Sequence, residues 1–134
     1  MKVVLSIKPE FAKKIFEGTK KFEFRKSIFK NKDVETVIVY ASSPVQKVIG
    51  EFDIEHIIKD KLDELWELTH MHAGITEEYF YEYFQDKDSG FAIKIKEFRK
   101  YKIPKDLKED FNLLPPQSFS YYFKDDRSKN AKNE

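Results

Sequence analysis

GTKKFEFRK, residues 18–26, packs a helix stop, a short strand and a cluster of charges into nine residues. Gly18 closes an amphipathic segment. The chain then restarts in β-favouring alternation, with Phe22 and Phe24 on one face and Glu23 and Arg25 on the other. Lys20 stands beside the turn, where a long side chain can swing towards either face. Two readings are open for Lys20, Glu23 and Arg25. One is an ion pair on an exposed strand face, worth at most about 1 kcal/mol when solvated. The other is a cleft wall in which Arg25 fixes Glu23, while Lys20 meets a phosphate or, with a lowered pKa, acts as a base. Ser6 and Lys8, at the end of the preceding strand, can join the same wall.

Upstream of this stretch, VVLSI (3–7) reads as a first strand. Pro9 suits the first turn of a helix, where its missing N–H is not needed. Phe11, Ala12, Ile15 and Phe16 then follow at helical spacing. Downstream, TVIVY (36–40) is a nearly continuous apolar run, the mark of a strand buried on both faces. It stops at Ala41-Ser42-Ser43-Pro44, whose serines suit a turn or a ligand-binding rim. KVIGEFDIEHII (47–58) resumes strand character, with a bulge marked by Gly50. Asp60 reads as the cap of a helix carrying Leu62, Leu65, Trp66 and Thr69, ended by Gly74. Thr76 is an N-cap for a second helix, and Ile75 with Phe80 makes a hydrophobic staple. Tyr79, Phe80, Tyr83 and Phe84 read as one buried stripe, so core packing is the expected role of all four.

Phe91, Ile93 and Ile95 alternate with lysines in a half-buried strand, and the late arrival of Phe98 predicts a bulge. A loop follows from Ile103-Pro104, with one helical turn over 106–111, before a last strand over 119–123. The expected order is β-α-β-β-β-α-α-β-β. That is an α+β fold, with consecutive middle strands that suit a small mixed β-barrel flanked by helices. Residues 1–123 form the expected domain, and 124–134 (KDDRSKNAKNE) a mobile polar tail.

The 134 residues suffice for one core. No run of about 18 apolar residues exists, so no membrane span is expected, and the N-terminal apolar run is too short for a signal peptide. Without cysteine there is neither a disulfide framework nor a thiolate metal site, which makes the cytoplasm the default location. The net charge of +1 conceals a strong asymmetry. Residues 1–30 carry nine Lys/Arg against three Asp/Glu, whereas 51–88 carry three against twelve. A basic N-terminal part suits an anion, and the acidic stretch 51–88 could meet a basic protein partner. His70 and His72 form an HxH pair without a third ligand in sight, which is a weak metal signal. No GxSxG elbow, P-loop or dinucleotide fingerprint is present, and no cofactor is expected.

Gly18-Thr-Lys20-Lys-Phe-Glu23-Phe-Arg25 resembles the GxKxxExR pattern of the ASCH domain, a branch of the PUA-like superfamily. The flanks agree in order: LSIKP before it, then VYASSP, VIGEF, GITEEYFYEYF, GFAIKI and PPQSF after it. What the resemblance implies is a PUA-like β-barrel with a cleft beside the first helix, and a protein that binds RNA or a nucleotide. Ser6, Lys8, Lys20, Glu23, Arg25, Ser42 and Ser43 would then be the binding residues. Some family members are enzymes; one group hydrolyses N4-acetylcytidine and another member cleaves RNA. In the amidohydrolase group the Lys of GxK is catalytic and Thr occupies the position of Glu23. Lys20 therefore carries over and the Thr does not. For an enzyme, Lys20, Glu23 and Glu51 are the catalytic candidates, Glu51 being the nearest match to a second carboxylate.

Overall fold

The computed structural model describes residues 1–117 and 119–123; the polar stretch expected to be a tail lies outside them. β1 (Lys2–Ile7) leads into α1 (Pro9–Glu17), then β2 (Phe22–Arg25), β3 (Thr36–Ala41) and β4 (Lys47–Lys61). Two helices follow, α2 (Leu62–Thr69) and α3 (Glu77–Tyr83), separated by a 3₁₀ turn over His70–His72. β5 (Ser89–Lys105), α4 (Leu107–Phe111) and β6 (Phe119–Tyr122) complete the described chain. None of these helices is long and apolar enough to cross a membrane.

The strands form one mixed sheet in the order β2-β5-β4-β3-β1-β6. β1 and β3 pair in parallel and the other neighbours are antiparallel. Every residue of β3 is buried, as its unbroken apolar run predicts. On one sheet face Val37 and Val39 pack with Val3, Leu5 and Ile7, under Ala12 and Ile15 of α1. On the other, Ile38 and Tyr40 pack with Val4, Val48 and Leu107. A third cluster joins Phe22 and Phe24 of β2 to Leu65, Phe80 and Phe84 of the helical pair.

Four expectations need correction. The sheet is open, not a closed barrel: its outer strands β2 and β6 pair with β5 and β1 and not with each other. The chain order also gains α4 between the last two strands, the helical turn expected over 106–111, which the order β-α-β-β-β-α-α-β-β leaves out. That helix covers the face carrying Ile38 and Tyr40, and Asp106 caps it by accepting from the backbone N–H of Lys108 and Glu109. In addition, β4 runs through Asp60 to Lys61, which pairs with Ser89, so Asp60 belongs to a strand and does not cap α2.

β5 likewise continues through Ile103-Pro104, where a loop is expected. The ladder steps there from Gly50↔Lys100 to Val48↔Lys105, and a proline without N–H is tolerated in such an irregular stretch. The bulges predicted near Gly50 and from the late arrival of Phe98 are both present. Phe52 faces Phe98 while Ile54 faces Ile95, which leaves one extra residue on β5.

Candidate functional site

Gly18 ends α1 in the left-handed conformation (φ 84°), its N–H bonded to the Ile15 carbonyl. The reversal carries Lys20 inward, and only 2% of it is exposed. Its Nζ donates to the carbonyl oxygen of Ala73 at 2.7 Å and lies 5.2 Å and 5.0 Å from the ring centroids of Phe11 and Phe24. Burial is the main influence on this ammonium and pulls its pKa down from 10.5 to about 8, against the opposing pull of Glu23.

β2 then sorts its side chains by parity. Phe22 and Phe24 face the helical pair, Phe24 meeting Phe80 edge-on with ring centroids 5.3 Å apart. From the other side of the strand, Arg25 Nη1 donates to Glu23 Oε2 and to the Ser6 carbonyl, each at 3.2 Å. Glu23 is only 6% exposed, so its attraction to Arg25 is less screened than in a surface ion pair, at the cost of desolvating both charges.

These residues border a cavity of about 390 Å³. Ser6, Lys8 and Phe11 come from the end of β1 and from α1; Glu23, Arg25, Lys26 and Ser27 come from β2 and its continuation. Lys20 and Phe24 border it as well, as do Tyr79 and Tyr83 of α3 and Gln117. The Ser6 hydroxyl donates to the Pro116 carbonyl at 2.8 Å, tying the 115–117 segment to this wall. Five of the residues expected at a site, Ser6, Lys8, Lys20, Glu23 and Arg25, are thus brought together.

Three others are elsewhere. Ser42 and Ser43 are not among the lining residues; Ser42 closes the turn after β3, where its N–H and hydroxyl both donate to the Ile7 carbonyl. Glu51, within β4, is not among them either. Glu51 instead accepts from Lys2, Arg99 and Tyr101, and Arg99 also holds Asp53. Burial would raise the Glu51 carboxyl, but the hydrogen bonds from Arg99, Tyr101 and Lys2 outweigh it and hold its pKa below the usual value. Part of the acidic stretch is therefore paired within the chain. His70 and His72 sit exposed on the 3₁₀ turn, and among the described residues no group of three His, Cys, Asp or Glu could hold a metal.

Tyr79 and Tyr83 were not expected here. The stripe of α3 splits: Phe80 and Phe84 are fully buried, whereas the two tyrosines, one turn apart, border the cavity. Their rings lie nearly parallel (10°), with centroids 6.5 Å apart. Lys8 Nζ stands 5.3 Å from the Tyr79 ring and Lys26 Nζ 4.9 Å from that of Tyr83. The signal was the hydroxyl, since a tyrosine keeps one end wet where a phenylalanine does not. Four cations, one carboxylate and two aromatic faces can hold an anion joined to a planar group.

The ASCH domain family model matches residues 5–105. An ASCH domain-containing ribonuclease of Zymomonas mobilis is 30% identical over 129 residues, covering 94% of this chain and 87% of that protein. A crystal structure of ASCH from the same organism superposes with a TM-score of 0.85 at 30% identity, over 98% of this chain and 94% of that one. The large ribosomal subunit protein uL22 of Ureaplasma parvum is 32% identical over 120 residues, 89% of this chain. The chain spans only 38% of the length of that relative. A family match over most of the sheet, together with a shared fold along nearly the whole chain, places this protein in the ASCH domain family.

Proposed function

We propose that this ASCH domain binds single-stranded RNA and seats one nucleotide in the cavity between β2, α1 and α3. The observation that carries this reading is the cavity's make-up: Lys8, Lys20, Arg25 and Lys26 beside the Tyr79 and Tyr83 rings. Phosphate needs the cations, and an unstacked base needs the aromatic faces. The volume, about 390 Å³, falls in the range of small-ligand sites. Ser42 and Ser43 are then turn-formers outside the cavity lining.

A second reading adds cleavage of the bound RNA, favoured by the ribonuclease relative that aligns over 87% of its own length. Lys20, with a pKa of about 8, gains and loses a proton near neutral pH and is the base in this reading. Glu51, bound by Arg99 and Tyr101, has no part in it. Nothing in the geometry favours N4-acetylcytidine hydrolysis, since Glu23 replaces the threonine of that pattern.

Binding is tested by fluorescence anisotropy of a short labelled RNA at rising salt. The expected result is affinity that falls with salt and with Lys26→Ala. Binding indifferent to both overturns the proposal. A denaturing gel of the same RNA tests cleavage: cuts by the wild type and none by Lys20→Met are expected, and intact RNA in both lanes removes the second reading alone.

A further inference from the structure

Glu23 is a buried anion set in a cavity whose other charges are cations. Arg25 explains how the fold tolerates it and also how it is aimed. A single nitrogen, Nη1, donates both to Glu23 Oε2 and to the Ser6 carbonyl, so the carboxylate is tethered through the guanidinium to the β1 backbone. Tyr83 borders the same cavity within electrostatic reach of both Glu23 and Arg25. A planar ligand resting on the tyrosine wall therefore meets a fixed group that can only accept hydrogen bonds.

That restriction selects among bases. A single-stranded base exposes its Watson–Crick edge for reading. Guanine presents two adjacent donors there, N1–H and the 2-amino group, which match the two oxygens of one carboxylate. Adenine and cytosine each offer one amino group beside a ring-nitrogen lone pair, which a carboxylate repels. Uracil flanks its one N–H with two carbonyls, and both are repelled. We infer that the cavity reads guanine, with Glu23 as the specificity-determining residue and Arg25 as the residue that positions it. The inference rests on the RNA-binding reading and goes beyond it, because a cavity that only holds phosphate and stacks a base is indifferent to sequence.

The test uses the wild-type chain and a set of short adenine-rich RNAs differing at one central position: guanine, hypoxanthine, cytosine, uracil, or adenine itself. The guanine RNA is expected to bind about tenfold or more tighter than the adenine, cytosine and uracil RNAs, the discrimination of one good bidentate contact. The hypoxanthine RNA, which keeps N1–H and lacks the 2-amino group, is expected to fall in between. Glu23→Gln, checked for folding by its melting curve, is expected to lose most of the guanine preference. Equal binding of all five RNAs, salt-sensitive and weakened by Lys26→Ala, overturns guanine reading and leaves RNA binding standing. Preference for cytosine overturns it in the same way. Absence of binding to any of them overturns both.

Discussion

Lys20 Nζ lies 2.7 Å from the carbonyl oxygen of Ala73, which joins the entry to β2 to the turn that leads into α3. This buried bond and the backbone bond from Lys21 N–H to the His72 carbonyl together fasten two of the elements that line the cavity. The next residue, Gly74, leaves room for the lysine stem. It adopts φ 71°, and a Cβ there would stand 2.5 Å from Lys20 Cγ.

Gly74→Ala is therefore expected to lose on two counts, the left-handed backbone and the clash with Lys20. The backbone strain alone costs about 1–3 kcal/mol. Denaturant unfolding should show that loss, and RNA affinity should fall with it because Lys20 must shift. A variant as stable as the wild type would show that the turn relaxes freely.

Lys20 makes stability depend on alkaline pH. Its pKa is about 8 in the fold against 10.5 ordinarily, so between these values the unfolded chain holds more protons. Stability then rises with pH across that window, and the contribution is lost again as pH falls through 8. Lys20→Met has no ammonium to titrate. The stability of the wild type relative to Lys20→Met should increase by up to about 3 kcal/mol between the two limits. Parallel pH profiles for the two proteins would contradict a desolvated ammonium.

Arg99 bridges Glu51 and Asp53, with bonds of 2.8 Å to each carboxylate. Both carboxyls are held below their usual pKa, Asp53 chiefly by the Arg99 hydrogen bond. The stability they add is present above the ordinary carboxylate range and lost as pH falls through their lowered values. Arg99 is 44% exposed, so screening reduces the effect. Arg99→Gln is expected to cost about 1 kcal/mol at neutral pH, shrinking towards zero near about pH 3. RNA binding should be unchanged, since none of these residues borders the cavity.

Lys8 and Lys26 each sit over a tyrosine ring and border the cavity. If each meets a phosphate, replacing either by alanine should make the slope of log affinity against log salt shallower by about 0.7, the value for single strands. The same substitution at Lys13, which is exposed on α1 and pairs with Glu17, should leave the slope unchanged.

Much of the fold was legible because its signals are local. Pro9 and Gly18 bracket α1, Thr76 caps α3 by accepting from the Tyr79 N–H, and the apolar run of β3 announced burial on both faces. The helix α4 was legible only as a turn, since its one buried anchor, Leu107, gains meaning only against Ile38 and Tyr40 across the sheet. Barrel closure depends on whether two outer strands meet, which no residue spacing encodes.

The candidate site divides along the same line. From sequence alone came the β2 constellation and its partners at the end of the preceding strand, Ser6 and Lys8, which a strand's parity and a glycine turn suggest. Tertiary structure alone decided that Lys20 is buried against Ala73, that Tyr79 and Tyr83 also line the cavity while Tyr83 still packs on Phe84, and that Glu51 belongs to a separate network. Those outcomes depend on how α3 docks on β2 and on the partners that β1 and β5 bring to Glu51, namely Lys2, Arg99 and Tyr101. Docking and strand order follow from the summed burial of three clusters, a quantity spread over the whole chain and carried by no single stretch of it.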